Sequence, residues 1–171
     1  MIAGTARSGK DTISNFIKEI YEKENKKTVI LQISSTLKYY AEKVLDWNGS
    51  EETKPREFLQ KTGDIVRNYD QKFLIQRLID DAKILFNYAD VIVVSDVRLP
   101  LEFEEVSKHF DSVNILVKRP NFDNNLTNNE KKHITETGLD NYSNYKYVID
   151  NNSSLNELKK KITNIIREET K

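Results

Sequence analysis

The sequence predicts an α/β protein, a parallel β-sheet whose strands alternate with amphipathic helices. Three observations predict it. Val91-Ile92-Val93-Val94-Ser95 is a continuous β-branched run, the pattern of a strand buried on both faces of a parallel sheet. Stretches with apolar residues at helical spacing fall between this run and its like. A glycine-framed loop, GTARSGKDT (Gly4 to Thr12), joins a short apolar start to the first of those stretches.

The elements follow in order. Met1-Ile2-Ala3 is the first strand. Such a strand usually needs about five residues, which predicts that residues precede Met1. Ile13, Phe16, Ile17 and Ile20 then share one helical face. Thr28-Val29-Ile30-Leu31-Gln32-Ile33 is the second strand. Residues 34–68 form a polar, mostly helical excursion. Phe73 to Ala89 reads as a long helix with Leu74, Leu78, Ile79, Ala82 and Leu85 inward. Val91–Ser95 follows, then Val113-Asn114-Ile115-Leu116-Val117. Residues 120–140 are polar and Asn-rich. Tyr147-Val148-Ile149 is the last strand, and Leu155, Leu158, Ile162 and Ile165 or Ile166 line a final helix capped by Ser153 or Ser154. Strands alternating with helices imply right-handed crossovers. The two polar excursions are expected over the sheet edge where strands end, where ligands bind in open α/β sheets.

The totals narrow the function. At 171 residues the chain is read as one domain, 1–171, without internal repeat or linker. Lys plus Arg and Asp plus Glu both number 27, so no global field draws the protein to nucleic acid or a membrane, and any anion site must be local. Without cysteine there is no disulfide framework or thiolate metal site, and two histidines make no metal cluster. No apolar run approaches a membrane span, and no signal-peptide pattern is present, so a cytoplasmic protein is expected.

Gly4-x-x-x-x-Gly9-Lys10 matches the phosphate-binding loop pattern up to its last position. Glycines let successive N–H groups converge on one anion, the helix start adds its positive end, and Lys10 brings a mobile charge. The plain alternative is a structural glycine turn. Asp11 stands where a hydroxyl usually ligates Mg²⁺. It is either an outer-sphere partner of the hydrated ion or a helix cap, and Thr12 next to it is the candidate metal ligand. Arg7 is a phosphate clamp or a solvated loop residue. Asp96, ending the buried strand, is the second candidate for Mg²⁺ or its water. Its alternative is a turn or N-cap aspartate. Arg98, two residues on, points to the same side and suits an acceptor phosphate, against a surface ion pair. Arg56 and Arg67 lie about three helical turns apart on one face and are candidate acceptor ligands, or solvated charges.

GTARSGKDT, VVSDVR, VKRP, HITETGLD and VIDNNSSLNEL occur in that order. Together they resemble the P-loop small-molecule kinases that include the deoxynucleoside monophosphate kinases and the animal-type phosphomevalonate kinases. The resemblance runs from Gly4 to about Leu158. It implies a P-loop NTPase fold of the adenylate-kinase type, with a five-stranded parallel sheet of order 2-3-1-4-5. It makes residues 34–68 the acceptor-binding segment and 120–140 the lid. It implies ATP and Mg²⁺ as cofactors, Gly4, Arg7, Ser8, Gly9, Lys10, Asp11 and Thr12 around the nucleotide, and Lys10, Asp96, Arg98 and Arg119 at the transferring phosphoryl. Arg56, Gln60 and Arg67, with His133 and Glu136 of the H-x-x-E pair, fall to the acceptor. Asn151 and Asn152 follow the last strand, where this fold places adenine; a helix-capping turn is their other reading.

The implied reaction is phosphoryl transfer from ATP to a small phosphorylated acceptor, first a (deoxy)nucleoside monophosphate and second phosphomevalonate, by a monomer or homodimer. The compact acceptor segment departs from the longer phage enzymes, so their base pocket does not carry over. A nucleotide-binding regulator is the reading from another class. The lid arginine and H-x-x-E disfavour it.

Overall fold

The computed structural model describes residues 1–170. The expected alternation is present. Strand β1 (Ile2–Ala3) leads into helix α1 (Lys10–Lys23), then β2 (Thr28–Leu31), α2 (Ser35–Leu45), α3 (Arg56–Tyr69) and α4 (Phe73–Leu85). Then come β3 (Val91–Val94), α5 (Pro100–Ser107), β4 (Ile115–Lys118), the short helices α6 (Asn128–Lys132) and α7 (Ile134–Thr137), β5 (Tyr147–Asp150) and α8 (Leu155–Glu169).

All strand pairs are parallel, but the expected continuous five-stranded sheet of order 2-3-1-4-5 does not form. The hydrogen-bonded sheets are β1-β4-β5 and β2-β3. The reason is the length of β1. β1 holds two residues, Ile2 and Ala3, before the turn at Gly4 (φ +148°), too few for a ladder on both sides. The link between the sheets is one bridge, Ala3 to Val97, with Val97 N–H donating to Ile2 C=O at 3.2 Å.

Alternation along the strands builds one core on each face. Ile2 and Val93 point to one side, where Ile13 and Ile17 of α1 and Leu158, Ile162 and Ile166 of α8 close over them. Ala3 and Val94 point to the other, under Leu37 of α2, Leu74, Leu78 and Ile79 of α4 and Phe103 of α5. Phe103 is fully buried and stacks flat on Tyr142, with ring centres 5.2 Å apart. This packing brings the stretch after the lid back onto the sheet.

Strand bounds shift by one or two residues from the sequence reading, and the structure settles the fourth helix and the last cap. The fourth helix stops at Leu85, and residues 86–89 turn toward β3. Its buried stripe is Leu74, Ile75, Leu78, Ile79 and Ala82; Ile75 takes an inward place and Leu85 is half-buried. Of the two serines before α8, Ser154 is the cap. Its Oγ accepts from Glu157 N–H at 3.3 Å while Glu157 returns to Ser154 N–H, a capping box.

Candidate active site

Every strand ends at one rim, and the segments that follow them build a cleft of about 340 Å³. The loop after β1 forms its base. Its two framing glycines are sterically required. A Cβ on Gly4 would stand 2.4 Å from Val117 C=O, and one on Gly9 (φ +102°) 2.3 Å from Asn151 Nδ2. Arg7 also adopts positive φ, so the backbone between the glycines curls tightly. Ser8 is buried, and its Oγ has no hydrogen-bond partner. Lys10, the first residue of α1, is 7% exposed and folds back to donate from Nζ to Thr5 C=O at 2.6 Å. Burial, and then the nearby Arg98 guanidinium, push its pKa down from 10.5 to about 7.

Asn151 braces this loop. Its Nδ2 donates to Ser8 C=O at 2.8 Å, and its own N–H to Lys118 C=O at 2.7 Å. Asp11 is exposed in the first turn of α1, and Thr12 lines the cleft. Asp96 also lines it, but its carboxylate is engaged. Oδ1 accepts from Ile33 N–H at 2.7 Å, and Oδ2 accepts from the N–H and the Oγ–H of Ser34, at 3.1 and 2.5 Å. It thereby caps the start of α2, a helix of another strand's crossover.

The segment 120–140 reaches the loop through Glu136. Glu136 on α7 accepts at Oε2 from Ala6 N–H of the loop, 2.8 Å away, and at Oε1 from Arg98 Nη1, also 2.8 Å. Arg98 donates further to Thr135 C=O at 3.1 Å. His133 pairs with Asp64 of α3 at 2.9 Å, and Arg67 holds the same carboxylate at 2.7 Å. Burial opposes ionisation of Asp64, but these two partners keep its pKa below the ordinary carboxylate value. Arg119 stands at the rim, its guanidinium 3.7 Å above the Phe122 ring and Nη1 3.4 Å from Arg7 C=O.

Arg56, Gln60 and Arg67 sit on the cleft face of α3, as the eleven-residue spacing of the arginines requires. Leu37, Leu59 and Leu74 supply an aliphatic wall beside them. Arg56 pairs with Glu51, which also binds Lys54 at 2.9 Å and lies 4.0 Å from Arg7.

Four charged residues of the cleft escaped the sequence reading: Lys38, Glu51, Lys54 and Glu102. Lys38 donates to Gln32 Oε1 at 2.5 Å, and burial lowers its pKa. Glu102 is 6% exposed and accepts at Oε2 from the N–H groups of Arg98 and Leu99, at 2.6 and 3.0 Å. Burial pushes its pKa up to about 7. The one available signal was spacing, because Glu102 lies three residues after Leu99 at the start of a Pro-led helix, a position that caps it.

The residues present fit a polyphosphate. The loop curls at Gly4, Arg7 and Gly9, a buried hydroxyl lacks a partner, and Lys10 has only a carbonyl to bond. Among the described residues there is no cluster of three or more metal-ligating side chains. Mg²⁺ in phosphate sites takes one or two carboxylates and draws the rest from phosphate and water, so Asp96 and Thr12 suffice as a donor set.

The family model described as "Deoxynucleotide monophosphate kinase" matches residues 24–162. No curated protein matches the sequence. Among solved structures, a mutant of the Mycobacterium tuberculosis APS kinase CysC superimposes with a TM-score of 0.55 at 13% identity, covering 97% of this chain and 96% of that one. The protein APE1195 does so with a TM-score of 0.50 at 16% identity, covering 96% and 94%. These likenesses show a shared α/β fold of parallel strands and helices. Among the described residues no helix is long and apolar enough to cross a membrane. The chain belongs to the deoxynucleotide monophosphate kinase family.

Proposed function

We propose that this protein transfers the γ-phosphoryl group of ATP to a (deoxy)nucleoside monophosphate. The observation that carries the reading is that one cleft gathers two sets of cations, Lys10 and Arg98 with the loop, and Arg56 and Arg67 on α3. A donor polyphosphate suits the first, and a phosphorylated acceptor the second.

In this reading the amides of Gly4, Arg7, Ser8, Gly9, Lys10, Asp11 and Thr12 surround the donor phosphates, and Asn151 holds the loop in shape. Thr12 and Asp96 are the residues that would hold Mg²⁺, which supplies charge neutralisation between the phosphates. Lys10, Arg98 and Arg119 face the transferring group. An acceptor phosphate is already a nucleophile, so no strong base is needed; positioning and charge do the catalysis. Gln60, Arg56 and Arg67 bind the acceptor with His133 and Glu136, and His133 keeps the lid against α3. Excluding water there limits wasteful hydrolysis. We place the protein in the cytoplasm, as a monomer or homodimer.

A second reading, phosphomevalonate as acceptor, is favoured by the aliphatic wall of Leu37, Leu59 and Leu74, which suits a branched carbon chain as well as a base. An ADP-release assay across nucleoside monophosphates, phosphomevalonate and dephospho-coenzyme A separates them. Turnover of at least one deoxynucleoside monophosphate is expected, and Lys10→Ala should abolish it. Turnover of phosphomevalonate alone would select the second reading, and turnover of none would favour a regulatory nucleotide-binding module.

A further inference from the structure

The lid places a carboxylate inside the anion site. Glu136 uses both oxygens there, one on a loop amide and one on Arg98, and its side chain is 8% exposed. Lys10 lies close enough that the same carboxylate favours its charged form. A loop amide, a guanidinium and an ammonium around one oxyanion are what a phosphoryl group requires. An isolated carboxylate this deeply covered is costly unless such partners hold it.

The neighbouring charges repeat the pattern. Arg67 is paired by Asp64, and Arg56 and Lys54 by Glu51. His133, three residues before Glu136, fastens the start of α7 to Asp64. The lid is therefore held by two polar latches: Glu136 on the loop amide and Arg98, which the proposed function gives to phosphate, and His133 on Asp64, the carboxylate that pairs Arg67.

We propose that Glu136 is a resident anion of the phosphate site, occupying the place of a substrate phosphoryl group and keeping Arg98 paired until phosphate displaces it. The inference rests on the kinase reading of the loop. Glu136 is a positioning residue that acts through Arg98. Before substrate arrives it keeps Arg98 aimed at the loop and compensates two buried cations. Phosphate binding then exchanges one anion for another, and the released carboxylate frees α7 to move.

The test uses inorganic pyrophosphate as probe, titrated calorimetrically into wild type, Glu136→Gln, Glu136→Ala and Lys10→Ala. Removing the competing charge should tighten pyrophosphate binding about tenfold in both Glu136 variants, the scale of one charge-assisted hydrogen bond. Equal or weaker binding in both would overturn the proposal, because a purely structural Glu136 can only lose affinity when removed. A second measurement needs no variant: in wild type, hydrogen exchange across 128–138 should quicken when pyrophosphate binds. Unchanged or slower exchange there contradicts displacement. Lys10→Ala reports on the loop separately. If it binds pyrophosphate as well as wild type does, the kinase reading fails; if it loses binding while the Glu136 variants gain none, only the present proposal fails.

Discussion

Binding of ADP should draw a proton from solution, and Lys10 should be its destination. Burial and Arg98 hold the empty-site pKa near about 7, against an ordinary 10.5. A bound polyphosphate supplies more opposite charge than Glu136 does and should return the pKa at least to that ordinary value. At about pH 8.5 free Lys10 is then roughly 3% protonated and bound Lys10 almost fully so, an uptake of about one proton per site. The corresponding shift between the two charge states is roughly 5 kcal/mol. Linkage turns it into a slope: affinity should fall about tenfold per pH unit between about pH 7 and pH 10 and level off below. The assay is calorimetric titration of ADP in buffers of different ionisation enthalpy. ADP is useful because its phosphates are already fully ionised at that pH. Lys10→Met should bind weakly with no uptake. Wild type that binds ADP without taking up a proton, or a Lys10→Met protein that takes up as many, would refute the assignment of a neutral buried amine to the empty loop.

Two further outcomes follow from the same cleft. The raised pKa of Glu102, about 7 against 4.5, contributes stability below about pH 4.5 that is lost as pH rises through about 7. Urea unfolding at pH 5 and pH 8 should therefore show Glu102→Gln gaining on wild type by up to about 3 kcal/mol at the higher pH, and a pH-independent difference would contradict the buried carboxylate. Gly9→Ala forces a Cβ against Asn151 at positive φ; it should destabilise by about 1–2 kcal/mol and remove ADP binding, whereas unchanged binding would mean that the loop can do without its present curl.

The loop and the alternation of strands and helices were legible because both are local. Gly4, Gly9 and Lys10 need only their spacing to announce an anion site, and the face of Ile13 and Ile17 needs only the helical period. The arginine pair on α3 was legible for the same reason, since an eleven-residue spacing returns to one face. The continuous sheet was misread because pairing depends on how many β1 residues stand beside β3 and β4, a count that no run of residues displays. Asp96 shows the limit most clearly. Its place after a buried strand points to metal, but nothing local shows that its carboxylate also accepts three hydrogen bonds from Ile33 and Ser34, more than sixty residues earlier, leaving one of its four lone-pair sites for an ion or its water.

What this sequence determined by itself was a phosphate-binding loop on a parallel α/β scaffold, because main-chain curl, helix start and lysine are all set within nine residues. Only the tertiary structure decided which charges meet. Glu136 on Ala6 and Arg98, His133 on Asp64, and Glu51 between Arg56 and Arg7 join segments far apart in the chain. Coulomb attraction depends on distance in space, and it is the folded packing of the lid over the strand ends that brings these groups within reach.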